Sequence, residues 1–192
     1  MAIAGPILGL DMGRRMGVAI GEPGSIPLSF SVLLGTQRDG IAVQSSNLIA
    51  WLNAILAGVD PVSRRPLPKP GLVAKEEPFR LAAFRDKGVN EEAVRSAYGL
   101  HVVCVGMCER HGVPFDEAPA QTITKHFTGV ARHGGRPQKK RAIILRCRQL
   151  DYVPADCTDD DRCDALAAWD WACANRAGVA PRELVLFQGK AA

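Results

Sequence analysis

Ile7-Leu8-Gly9-Leu10-Asp11-Met12-Gly13-Arg14-Arg15-Met16-Gly17-Val18-Ala19-Ile20-Gly21 holds two apolar runs parted by a short, glycine-containing polar break. Such runs read as two strands of a hairpin. The spacing predicts strands over 6–12 and 16–21, with Asp11 at the exit of the first. A third strand, 27–34, follows from period-two alternation. Leu28, Phe30, Val32 and Leu34 share one face, and Ser29 and Ser31 take the other. The period then lengthens. Ile41, Leu48, Leu52 and Ile55 fall on one helical face, which predicts a helix over 40–57.

Residues 58–70 carry prolines at 61, 66, 68 and 70, so a loop is expected there, inserted before the next strand. That strand, 71–74, leads into Lys75-Glu76-Glu77-Pro78-Phe79. A helix is predicted over 90–111, with Asn90 as its cap and Glu91 and Glu92 at the positive end of its dipole. Its apolar stripe is Ala93, Ala97, Leu100, Cys104, Met107 and Cys108. A strand at 113–115, a helix at 120–127, a glycine-rich loop at 129–136 and a helix at 137–150 follow, the last opened by Pro137. The final helix spans 159–175. Strands that come first and then alternate with helices point to an α/β fold, a mixed β-sheet flanked by α-helices. One domain is expected over 1–175, with a tail over 176–192.

Composition narrows the function classes. The chain has 192 residues, 47% of them hydrophobic and 23% charged, which excludes disorder across its whole length. No apolar run approaches the ~18–20 residues of a membrane span, so no membrane partner is expected. The first ten residues lack a basic start, and Asp11 interrupts the apolar one, unlike a secretory signal. Six cysteines without a CxxC pair suit buried thiols in a reducing cytoplasm.

Carboxylates recur at element ends. Asp11 closes the first strand, Glu76 and Glu77 follow a later one, and Asp159, Asp160, Asp161 and Asp164 open the last helix. Oxygen ligands of this kind suit hard divalent cations, and phosphodiester cleavage uses two such ions roughly 4 Å apart. Capping offers another account of part of the set. Thr158-x-x-Asp161 matches a capping box, and first-turn acids are favoured by the helix dipole. Asp164 lies past that turn, on the same face as Asp161.

Together, Ile7–Gly13, Glu76-Glu77-Pro78-Phe79 and Asp161-Arg162-Cys163-Asp164-Ala165-Leu166-Ala167 resemble a RuvC-type Holliday junction resolvase of the RNase H-like superfamily. The resemblance implies a five-stranded mixed β-sheet, a homodimer, and paired nicking of a four-way DNA junction with Mg²⁺. Two ions per active site are implied, with Mn²⁺ as a substitute. It implies Asp11, Glu76, Asp161 and Asp164 as catalytic metal ligands. Glu76 is taken over Glu77 because Phe79 then stands three residues on, where the family often has an aromatic against the DNA. A cytoplasmic site of action is implied, in a bacterium or for a phage protein in its host. The opening also resembles the YqgF branch of the superfamily, which stands as the alternative nuclease. A non-cleaving branched-DNA-binding protein is a third possibility.

Lysine plus arginine is 24 and aspartate plus glutamate 20, a net charge of +4 that says little as a total. Its distribution says more. Residues 118–150 hold Lys125, Arg132, Arg136, Lys139, Lys140, Arg141, Arg146 and Arg148 and no acid, whereas 151–170 hold seven aspartates against Arg162. Phosphate contacts by such cations supply most sequence-independent affinity for DNA. Lys125, Arg132, Arg136, Lys139, Lys140 and Arg141 are therefore the candidate DNA-binding cations, and Lys125 with Lys139 or Lys140 best match lysines that help the family's active site. His101, Cys104, Cys108 and His111 mimic a zinc set, but on one helix the outer pair is about 15 Å apart. They are expected to be a core-facing stripe instead.

Overall fold

The computed structural model describes residues 3–78 and 91–180. Its first elements are β1 (Ile7–Asp11), β2 (Arg15–Gly21), β3 (Leu28–Leu33), α1 (Ile41–Leu56) and β4 (Leu72–Glu76). Then come α2 (Glu91–His111), β5 (Phe115–Ala118), α3 (Ala120–Thr128), α4 (Arg136–Gln149) and α5 (Asp160–Arg176). The sheet order is β3-β2-β1-β4-β5. β1, β2 and β3 pair antiparallel, while β1–β4 and β4–β5 pair parallel. This is the expected five-stranded mixed sheet. Phe79 and Asn90 lie outside the described residues.

Strand alternation feeds two cores. Leu8, Leu10 and Val73 point to the α1 and α2 layer, where they meet Leu48, Leu52, Leu100 and Cys104. Ile7, Leu72 and Ala74 point to the other layer, which holds α5 with Ile123, Phe127, Ile143 and Cys147 of α3 and α4. Trp51, Trp169 and Trp171 are buried core residues. So are Cys104 and Cys108, whereas His111 leaves the stripe and meets Asn53 at 3.2 Å. Ala93 is exposed, so the apolar face of α2 starts later than its sequence suggests.

Two glycines set the height of α5 above the sheet. A Cβ on Gly9 would stand 2.6 Å from the Ala165 carbonyl oxygen and 2.7 Å from the Trp169 Cβ. A Cβ on Gly17 would stand 1.9 Å from the Asp161 carbonyl oxygen. Any side chain at either position would push the helix away. The alanines at 165, 167, 168 and 172 complete the close fit from the helix side.

Two local expectations need correction. The last strand is Phe115–Ala118, not 113–115. Val113 instead closes α2: its N–H donates to the Cys108 carbonyl at 3.0 Å, after Gly112 turns left-handed at φ 60°. The strand itself reads Phe-Asp-Glu-Ala at a sheet edge, so its polarity hid it. The cap of α5 is Asp159, not Thr158. An Asp159 carboxylate oxygen accepts the Arg162 N–H at 3.2 Å. Asp161 is thereby left available to the cleft below.

Candidate active site

β1 and β4 run parallel and adjacent, so their C-terminal ends reach the same edge of the sheet. Asp11 ends one and Glu76 the other. Asp11 is two residues beyond Gly9, and Glu76 two beyond Ala74, so both face α5. Asp11 is also the register partner of Gly17, over which the Asp161 backbone sits. Asp164 lies one turn further along α5. The four sequence-predicted acids thus line one cleft of about 610 Å³.

Cations from α4 and the loop before it close the other wall. Arg132, Arg136, Lys139 and Lys140 line the cleft, and Gly135 at the N-terminus of α4 lies among them. The Lys139 Nζ is 3.6 Å from Glu76. The Lys140 Nζ donates to Asp164 at 2.5 Å and lies 3.0 Å from Asp160. Lys125 and Arg141 are exposed and do not line this cleft. Arg148 has a structural role, donating to the Cys157 carbonyl at 2.7 Å.

The crowding of carboxylates shows in their acidity. Burial lifts Asp11 well above the ordinary carboxylate range; Asp164, Glu76 and Asp161 lift it further, against the pull of Lys140. Burial also raises Glu76, with Lys139 opposing. Asp161 is raised by burial and by Asp160. Burial pushes Asp160 up as well, but the hydrogen bond and charge of Lys140 outweigh it, and its value falls. Burial works against the Lys140 charge, yet Asp164, Asp11 and Asp160 hold it firmly protonated. One oxygen of Asp164, Oδ1, is buried with no hydrogen-bond partner among the described residues. An all-oxygen donor set with an unpartnered buried carboxylate oxygen fits a hard divalent cation.

Of three further features, two went unread in the sequence and one was read only in part. Arg15, just after the first turn, reaches Asp159 at 2.5 Å and Asp161 at 4.0 Å. Asp159, Asp160 and Asp161 form the tightest carboxylate group among the described residues, with ligand atoms within 4.8 Å of one another. Three consecutive aspartates were the available signal, and helix capping accounted for two of them equally well. The third feature is Lys75, which is only 2% exposed. It points to the far face of the sheet, donates to the Glu76 carbonyl, and lies 3.5 Å from Glu117 and 6.0 Å from the Phe115 ring. His101 meets the same Glu117 oxygen at 3.5 Å. Burial lowers the Lys75 value, and the Glu117 charge resists that fall.

No protein-family model and no curated protein sequence matches the chain. Solved structures do, among them RuvC of Thermus thermophilus and the same protein in complex with a Holliday junction substrate. Each of these two has a TM-score of 0.62 and 17% identity, covering 92% of this chain and 98% of its own. The fold is RuvC-like. At that identity the likeness speaks for the α/β, RNase H-like architecture. Among the described residues no helix is long and apolar enough to cross a membrane.

Proposed function

We propose that this chain is a Mg²⁺-dependent, structure-selective DNA endonuclease that resolves four-way junctions by paired nicks, with Mn²⁺ able to replace Mg²⁺. The observation that carries this proposal is the meeting of Asp11, Glu76, Asp161 and Asp164 in one cleft, opposite the basic start of α4. The RuvC-like fold supports it, since that Thermus protein has been solved with a Holliday junction substrate. Asp11, Glu76, Asp161 and Asp164 would hold two metal ions. Bound there, the ions supply an activated water and stabilisation of the leaving oxygen.

The chain's own side chains do the rest. Arg132, Arg136 and Lys139 present cations to the phosphate backbone along one wall of the cleft. The N-terminus of α4 adds backbone donors and a positive dipole end for a phosphate oxygen. Lys140 stays charged and pairs with Asp164 in the metal-free protein. The crowding that disfavours ionised Asp11 in the bare protein is the field that favours a divalent cation. Phe79 would lie against the junction bases. A homodimer would place two such clefts on two strands.

End-labelled four-way junction, linear duplex and flap substrates test the proposal, each with Mg²⁺ and with chelator. Paired nicks in the junction, dependent on metal, are expected. Asp11→Asn keeps junction binding and abolishes nicking. Undiminished cleavage by that variant sinks the assignment. Tight junction binding with no metal-dependent nick would make the protein a branched-DNA-binding module instead.

A further inference from the structure

Each acid of α5 named as a metal ligand shares its cation with a neighbouring aspartate that is not so named. Lys140 bridges Asp164 at 2.5 Å and Asp160 at 3.0 Å. Arg15 bridges Asp159 at 2.5 Å and Asp161 at 4.0 Å. The pairing follows from helix geometry. Asp160 and Asp164 are i and i+4 on one face of α5, so a single ammonium from α4 reaches both. Asp159 and Asp161 flank the other side of the first turn, where Arg15 rises from the start of β2. Ser31 holds Asp159 in position by donating to the same oxygen that Arg15 reaches, at 2.8 Å. Asp164, which lines the cleft, meanwhile keeps one oxygen buried and unpartnered among the described residues.

We infer that Asp160 is a positioning residue: it receives the Lys140 ammonium when Asp164 turns to a divalent cation, so that Lys140 stays in the cleft without competing for the ligand. Asp159 plays the same part for Arg15. The inference rests on the metal-dependent reading above and deepens it. Two physical points support it. An ammonium 2.5 Å from the Asp164 Oδ2 and a divalent cation on the unpartnered Oδ1 would share one carboxylate, and like charges at such range repel by several kcal/mol even at an effective dielectric near 20. A lysine with no second carboxylate would have to swing into solvent, and its charge would be lost to the phosphate. Asp160 lies 3.0 Å from the same nitrogen, so the retreat is a small torsional change rather than a departure.

The test is a double-mutant cycle on metal affinity in the absence of DNA. Mn²⁺ binding is followed by calorimetry and by loss of the free-ion resonance signal, with far-UV circular dichroism as the folding control. Asp160→Asn is expected to weaken Mn²⁺ binding about 10-fold, as loss of an outer partner commonly does. Lys140→Met is expected to tighten it. In the Lys140→Met background, Asp160→Asn is expected to have almost no further effect, because no ammonium remains to be received. Lys139→Met serves as a control for the loss of one nearby charge, and in that background Asp160→Asn keeps its full effect. Equal weakening by Asp160→Asn with and without Lys140 overturns the inference and makes Asp160 a direct ligand. Unchanged affinity in Asp160→Asn also overturns it. A wild-type protein that binds no Mn²⁺ instead overturns the metal-nuclease reading itself, which separates the two failures.

Discussion

Two charged clusters stand back to back at the end of β4, one on each face of the sheet. Lys75 and Glu76 are consecutive, so strand alternation sends them opposite ways. On the far face, one ammonium meets one carboxylate, Glu117, beside the Phe115 ring and His101. On the cleft face, Asp11, Glu76, Asp161 and Asp164 crowd against Lys139 and Lys140, with Asp159, Asp160 and Arg15 at the margin. The first cluster is close to neutral and ties β4 to β5. The second crowds its carboxylates so closely that burial and mutual repulsion raise Asp11, Glu76 and Asp161, even with Arg132, Arg136, Lys139 and Lys140 along the same cleft. Carboxylates shifted together in one cleft are the pattern of a site organised for something it binds.

The largest expected effect separates two adjacent glutamates. Glu76 ends β4 on the cleft face beside Lys139, whereas Glu77 follows the strand and uses its N–H to bond the Ala118 carbonyl at 2.9 Å. Glu76→Gln should slow junction nicking at least about 100-fold, and Glu77→Gln should stay within about threefold of wild type. Single-turnover nicking of a labelled junction measures both. The opposite order would break the assignment of faces at this strand end.

A smaller effect contrasts the two lysines that attend Glu76. Lys75→Met strands a partly buried Glu117 and releases the Glu76 carbonyl, which should cost about 2 kcal/mol of folding stability. Lys139→Met removes a half-exposed pair and should cost less than about 1 kcal/mol. Urea unfolding in chelator compares them. Equal losses would mean that the far-face cluster is no more structural than the cleft.

Much of this contrast was legible in the sequence, and the part that was not has physical causes. The paired apolar runs around Asp11 and the helices expected over 40–57, 90–111 and 159–175 lie close to their observed bounds, because each buries apolar side chains along its length. β5 was displaced because a short, parallel edge strand of Phe-Asp-Glu-Ala shows no alternation. The four acids stood out by residue type at strand ends and by resemblance. Their meeting in one cleft depended on Gly9 and Gly17, whose role appears only when a helix backbone rests on them. Lys75 drew no reading of its own, since nothing local reveals that Glu117 and His101 approach it from other elements. Capping and chemistry predict the same aspartates in the first turn of α5, so only geometry could divide Asp159 from Asp161.

The smallest effect runs opposite to ordinary expectation for a buried group. Asp11→Asn should stabilise the metal-free protein by about 1 kcal/mol at neutral pH, because it removes one member of a crowded carboxylate set while keeping its shape. The pH dependence supplies the sign. Burial, then Asp164, raise the folded-state value of Asp11 above that of the unfolded chain, so the native state holds its proton longer. Stability linked to that proton is complete below the ordinary carboxylate range and is lost as pH rises through the raised value. Glu76 and Asp161 shift in the same direction, and Asp160 in the other. Wild-type stability in chelator should therefore fall as pH rises above the ordinary carboxylate range, and Asp11→Asn should flatten that fall. Urea midpoints across that rise in pH measure the slope. Saturating Mn²⁺ should reverse the ranking, because wild type then gains the binding free energy that the variant forgoes. A variant that is less stable than wild type in chelator would show that Asp11 serves the fold, and the contrast between the two faces of β4 would lose its meaning.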